Sequence, residues 1–200
     1  MIKVLLADDQ ALVRGAMAAM LSLESDIEVV AEVGSGDEVL PAVRGLAPDV
    51  ALLDVQMPGD GLRVAAQLRD ESPKVRVIIC TTFGRPGYLA RATNAGAAGF
   101  VVKDTPPEQL VEAIRRVHAG LRVVDPALAA ESMISGACPL TDREREVLSA
   151  VAAGGTVGDA AKKLFLSQGT VRNHLSSAIG KTGTRTSAEA ARLAEDRGWL

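Results

Sequence analysis

The chain has 200 residues, a formal net charge of −3, and a composition that is 48% hydrophobic but only 2% aromatic. That length suits two domains, each with its own core, and the cores must be built from Ala, Val and Leu with few bulky anchors. No apolar run approaches the roughly 18 residues of a membrane span. The opening Met1-Ile2-Lys3-Val4 leads straight into a strand pattern and acids without a charged leader, and Cys80 and Cys138 lack the spacing of a disulfide framework or a zinc site. A cytoplasmic protein with reduced thiols and no membrane partner is expected.

From the N-terminus, apolar runs predict strands near 2–7, 28–33, 49–53, 75–80 and 98–102, and helical periodicity predicts helices near 10–22, 35–45, 61–70, 86–95 and 107–119. The strand runs have no polar alternation, as expected of parallel strands covered on both faces. Strand and helix alternate regularly, which implies right-handed crossovers and an α/β, doubly wound, five-stranded parallel sheet. In the flavodoxin-like strand order, the ends of the first and third strands meet at the switch point. Gly34-Ser35-Gly36 lacks the further glycine and the Lys-Ser/Thr pair of a phosphate loop and reads as a turn.

Polar residues follow four of these strands: Asp8-Asp9, Asp54, Thr81 and Lys103. Ligands of an open parallel sheet bind outside the carboxyl ends of its strands, so these side chains are expected on one edge. Carboxylates that close repel one another unless a proton or a cation compensates. An all-oxygen site of two or three acids suits a hard cation such as Mg²⁺, and a neighbouring lysine suits a phosphoryl group. Each residue also has a plainer reading: Asp9 as a helix cap, Asp54 as a cap of the turn into Pro58-Gly59, Thr81 as a strand-end hydroxyl and Lys103 as a solvated charge. Four strand ends that all carry phosphate-chemistry residues outweigh those separate explanations. Thr105-Pro106-Pro107-Glu108 reads as a capping box with Pro at the first helical position.

Residues 121–138 lose the strand pattern and read as a linker with a short helix at 126–134. Residues 1–120 carry 12 Lys+Arg against 16 Asp+Glu, whereas 139–200 carry 9 against 7, and 160–188 contain no acid. A basic run is usually a solvated face, but one confined to the second of two domains is the expected footprint of a polyanion. That second domain reads as all-α. Capping boxes at Thr141-x-x-Glu144 and Thr186-x-x-Glu189 open its first and last helices, and Thr156 and Ser167 cap the two between. In the helix after Ser167, Val171, Leu175 and Ala178-Ile179 take the buried spacing. Gln168, Arg172, Asn173, Ser176 and Gly180 are left on an outer face suited to a DNA major groove.

The first 120 residues resemble the receiver domain of bacterial two-component response regulators. The resemblance is carried by Asp8-Asp9, by Asp54 in Leu52-Leu53-Asp54-Val55-Gln56-Met57-Pro58, by Thr81, and by Gly96 to Asp104. It implies that Asp54 accepts a phosphoryl group from a sensor histidine kinase or a small phosphodonor. It also implies that Asp8, Asp9, Asp54 and the Gln56 carbonyl hold Mg²⁺, that Thr81 and Lys103 contact the phosphoryl oxygens, and that Phe100 turns inward as a switch aromatic. The segment Met57-Pro58-Gly59-Asp60-Gly61-Leu62 is one residue shorter than the family's usual loop. A small aspartyl-phosphate phosphatase would use similar side chains, but it typically has a second acid where Gln56 stands, so a non-enzymatic regulator is expected.

Residues 139–200 resemble the helix-turn-helix output domain of the NarL/FixJ (LuxR-type) regulators. The matching residues are Leu140-Thr141-x-Arg143-Glu144-x-Glu146-Val147-Leu148, Ala161-x-x-Leu164-Phe165-Leu166-Ser167 and Thr170-Val171-Arg172-x-His174-Leu175 followed by Lys181. The whole chain is thereby similar to NarL-type response regulators, nearest the DesR-like group. Double-stranded DNA is the implied partner, with Arg172 and Asn173 expected to read bases and Lys162, Lys163, Lys181 and Arg185 to serve phosphates. Gln168, Thr170 and Ser176 complete the candidate contacts, and His174 is expected as a half-buried scaffold residue. Val157, Ala160, Thr182 and Thr184 are smaller or more polar than the family's habit, which forfeits roughly 1 kcal/mol per site where nothing refills the space. The alternative of a phosphorylation-independent DNA-binding protein is disfavoured by the intact acceptor set. Homodimerisation on phosphorylation is expected through helix 10–22 with helix 107–119, with Val13 and Val111 facing outward.

Overall fold

Four consecutive apolar residues with no polar face fit only a strand covered on both sides. Val50–Leu53 (β3) occupies the middle of the sheet with every residue buried. In the computed structural model, which describes residues 1–82, 84–125, 128–130, 132 and 138–200, β3 lies between β1 (Ile2–Ala7) and β4 (Arg76–Thr81). The sheet order is β2 (Ile27–Val33), β1, β3, β4, β5 (Gly99–Val102) and β6 (Val123–Val124), with every pair parallel. The five expected strands are all present in the doubly wound order. The sixth corrects the five-strand expectation: β6 pairs Val123 with Gly99 at the start of the segment read as linker. Two residues are too short to leave a periodic signature in sequence. The helix expected at 126–134 lies largely outside the described residues.

Five helices connect the strands: α1 (Ala11–Leu21), α2 (Gly36–Leu46), α3 (Gly61–Glu71), α4 (Pro86–Asn94) and α5 (Pro107–His118). One face of the sheet supplies Val4, Leu6, Leu52 and Ile78 to a cluster with Leu21 of α1 and Leu110, Val111, Ile114 and Val117 of α5. Val111 is therefore core rather than outward, because it falls on the sheet-facing stripe of α5. The capping box expected at Thr105 does not form. The N-cap is Pro106, whose ring offers no acceptor, and Pro107 takes the first helical position where a missing N–H costs nothing.

The second group of helices is α6 (Asp142–Ala152), α7 (Val157–Lys163), α8 (Gln168–Thr182) and α9 (Ser187–Asp196). Each starts at the residue the sequence designates. Thr141, Thr156, Ser167 and Thr186 accept a backbone N–H from Glu144, Asp159, Thr170 and Glu189. Val147, Leu148, Val171, Leu175, Ala178, Ala190, Ala194 and Trp199 form the core. Thr182 and Thr184 satisfy their hydroxyls locally, Thr182 with the Ala178 carbonyl at 2.8 Å and with Thr184 at 3.0 Å. The chain divides into two compact units, Met1–Gly84 with Leu89–Ala130, and Arg85–Tyr88 with Glu131–Leu200. Among the described residues no helix is long and apolar enough to cross a membrane.

Candidate functional site

The parallel ladder itself brings the strand-end residues together. The Asp54 N–H donates to the Ala7 carbonyl at 2.9 Å, which sets Asp54 beside Asp8, and the Lys103 N–H donates to the Thr81 carbonyl at 2.8 Å. Asp8 and Asp54 are 1% and 2% exposed and Thr81 is fully buried. Asp9 is exposed at the rim, and its carboxylate oxygen, with one each from Asp8 and Asp54, lies within a 4.8 Å cluster. The Lys103 ammonium reaches 2.7 Å from Asp8 Oδ2 and 3.1 Å from Asp54 Oδ2. Asp54 Oδ1 is buried with no hydrogen-bond partner among the described residues.

Electrostatics in this pocket run against bare carboxylates. Burial pushes the Asp54 carboxyl above its usual range and the Asp8 charge adds to that, while Lys103 and the Gln56 backbone amide oppose it. Burial alone would lower the Lys103 ammonium, but its two carboxylate partners outweigh that and raise it. Three carboxylates against one ammonium leave two negative charges at one sheet edge. A divalent cation fits that donor set, and the orphaned Asp54 Oδ1 supplies an open coordinating or nucleophilic oxygen. Cys80, next to the site on β4, is buried and its thiol is pushed up to about 12, which leaves it unreactive.

The loop after Asp54 is tight. Gly59 and Asp60 both take positive φ, at 94° and 56°. The Asp60 side chain caps α3 by accepting the Leu62 N–H at 3.0 Å. A Cβ on Gly61 would lie 2.0 Å from the Asp54 carbonyl oxygen, so only glycine fits beside that residue. Sequence reasoning missed Gly61 because it looked like an ordinary helix start; the shortened loop was the available signal. Arg14 of α1 was missed too, and its guanidinium donates to the Asp8 carbonyl, bracing the acidic turn. Gln56 is exposed. Phe100 is already buried in β5, where it lines a cavity of about 360 Å³ beside α5.

In the second unit, Gln168, Arg172, Asn173 and Ser176 form one exposed strip on α8, Thr170 is half-buried, and Lys162, Lys163 and Arg185 are exposed nearby in the chain. Thr170 donates its N–H to the Ser167 hydroxyl. His174 is half-buried, in keeping with a scaffold position. Lys181 differs from the other basic residues: its ammonium lies 2.8 Å from Glu144 Oε2. Glu144 is buried and also accepts from the Ser177 hydroxyl at 2.6 Å and from the Thr141 N–H at 2.7 Å. Burial would raise its carboxyl, but these partners hold it at about 2. Sequence analysis found the Thr141–Glu144 box and missed this ion pair, which joins residues 37 positions apart.

Comparisons with known proteins agree with this division. Residues 4–115 match the response regulator receiver domain, and residues 138–194 match the luxR family of bacterial regulatory proteins. The uncharacterized transcriptional regulatory protein YvfU of Bacillus subtilis is 43% identical over the full length of both chains, and the transcriptional regulatory protein DesR of the same organism is 42% identical over the same span. The crystal structure of the response regulator ChrA, from a heme-sensing two-component system, shares 31% identity with a TM-score of 0.59 and covers 100% of this chain and 98% of its own. The chain belongs to the two-component response regulators that join a receiver domain to a luxR-type DNA-binding domain, a family of transcriptional regulators.

Proposed function

We propose that Asp54 is the phosphoacceptor of this regulator, charged by a sensor histidine kinase, and that the receiver runs from residue 1 through β6 to residue 124, with 139–200 as the DNA-binding domain. The observation that carries this reading is the buried Asp54 Oδ1, which has no hydrogen-bond partner among the described residues while Lys103 lies 3.1 Å from the other oxygen. A carboxylate oxygen of Asp54 attacks the phosphorus of the donor's phosphohistidine. The O–P bond forms as the P–N bond breaks, and the imidazole leaves to take up a proton from solvent. Lys103 and Thr81 hold the oxygens of the transferring group. Asp8, Asp9, Asp54 and the Gln56 carbonyl would hold Mg²⁺, which supplies neutralisation of the charge spread over those oxygens.

In the second domain, Arg172 and Asn173 read bases, with Gln168, Thr170 and Ser176 on the same face, and Lys162, Lys163 and Arg185 pair with phosphates. Lys181 serves mainly to neutralise Glu144. Phosphorylation favours a homodimer, because two output domains on adjacent half-sites bind more tightly than one. The supporting surface is the groove of about 390 Å³ between α1 and α5, lined by Leu12, Val13, Met17, Met20 and Leu110. The reading places the protein in the cytoplasm, as a regulator without enzymatic turnover of its own. Treating the protein with a small phosphodonor and Mg²⁺ and weighing the intact chain tests the acceptor. One phosphoryl group is expected on the parent, and none on Asp54→Ala or without Mg²⁺. Full labelling of Asp54→Ala would move the acceptor elsewhere.

A further inference from the structure

Among the described residues the other aromatic side chains, Tyr88, Phe100 and Trp199, are buried, whereas Phe165 is 96% exposed, the most exposed of the large apolar residues. It also sits at φ 55°, in the left-handed region, directly after Leu164, the C-cap of α7. That position ordinarily takes Gly or Asn, and a bulky side chain there is strained as well as exposed. Its neighbours explain the orientation. Leu164 and Leu166 on either side pack against the core, and the Leu166 N–H closes back on the Ala161 carbonyl at 2.8 Å, so the turn throws the Phe165 ring outward.

Two unfavourable features at one residue point to a role outside the folded unit. The chain around Phe165 says what kind. Lys162 and Lys163 are exposed just before it, Ser167 caps α8 two residues after it, and the stretch 160–188 holds no acid. We propose that Phe165 is an apolar DNA contact, its ring resting against deoxyribose and thymine-methyl edges at the wall of the groove that α8 enters. This rests on the reading of α8 as the DNA-facing helix. Deoxyribose and the thymine methyl are the apolar parts of a polyanion that the lysines attract, and an aromatic ring at the start of the recognition helix covers them without demanding a hydrogen-bond partner.

The test separates the strain from the contact. Full-length protein treated with a small phosphodonor is titrated against duplexes that the parent has selected from a random pool and against an unselected duplex, and melting is followed by the fluorescence of Trp199. Phe165→Tyr keeps a ring and is expected to bind like the parent. Phe165→Asn removes the ring and relieves the strain, so it is expected to melt a few degrees higher yet bind the selected duplex about three- to tenfold more weakly. Phe165→Ala, which keeps the strain, is expected to show the same loss of affinity. An Asn variant that melts higher and binds within twofold of the parent overturns the proposal. So does a set of variants with parental DNA affinity that fail only in transcription with RNA polymerase, which would put the ring against protein. A parent chain that enriches no duplex overturns the reading of α8 itself, and the Phe165 contact with it.

Discussion

At single residues, the structure separates exposed charges from charges that hold the fold. Arg172 is exposed, its guanidinium donating only to the Gln168 side chain one turn back at 3.4 Å, so on the proposed reading Arg172→Ala is expected to cost about 1–3 kcal/mol on a selected duplex and to relax sequence preference, while Lys162→Ala weakens all sequences alike and lowers the salt slope by about one. Isotherms at several salt concentrations check this; equal loss on selected and random DNA would remove Arg172 from the base-reading set. Glu144 makes a different kind of contribution. Its carboxyl lies at about 2 in the folded protein against an ordinary 4.5, so its stabilisation is present above pH 4.5 and fades as the pH falls toward 2. Acid titration of urea unfolding, read at Trp199, is expected to show a loss on the order of 2 kcal/mol over that window, and a smaller one in Glu144→Gln. An unchanged profile in the variant would assign the acid sensitivity to other groups. Gly61→Ala forces backbone away from the Asp54 carbonyl, and a slowing of Asp54 labelling on the order of tenfold is expected in a phosphodonor time course, since small misplacements near reacting atoms are expensive. Labelling at the parental rate would show that the loop yields.

At the scale of elements, α1 is the unusual one. It buries Ala18 and Leu21 against the sheet but leaves Leu12 87% exposed, and in its eleven residues Arg14 is the sole charge. That outward apolar surface is what the proposed homodimer would cover. Leu12→Glu places a charge in the α1–α5 groove without touching the core, so it is expected to abolish phosphodonor-induced dimers while Asp54 labelling persists. Sedimentation of the labelled variant decides; dimers like the parent's would exclude this surface. The element also shows where sequence reading reaches its limit. Its apolar excess is legible in residues 11–21, but which positions face out depends on what the neighbouring helix covers. Val111 of α5 looks as available as Val13 in sequence, yet it belongs to the core with Leu52 and Ile78.

For the whole molecule, the architecture was legible because it rests on local rules. Strand runs without polar alternation require cover on both faces, the N-cap residues set the starts of the C-terminal helices, and the charge imbalance distinguishes an acidic first half from a basic second one. The acidic site was legible for the same reason: in a doubly wound sheet the residues at the carboxyl ends of the strands fall on one edge, so Asp8, Asp54, Thr81 and Lys103 converge by topology alone. What the sequence could not determine depends on distances between remote residues. The short β6 pairing to Gly99 carries no periodicity of its own. The Glu144–Lys181 pair forms because α6 and α8 cross there. The need for glycine at position 61 arises from a carbonyl seven residues earlier, and the exposure of Phe165 from two leucines that anchor its turn. Composition and periodicity fix the elements and their order, because backbone hydrogen bonding and apolar burial act on short stretches. Only tertiary packing decides which side chains meet, because that depends on where the elements cross.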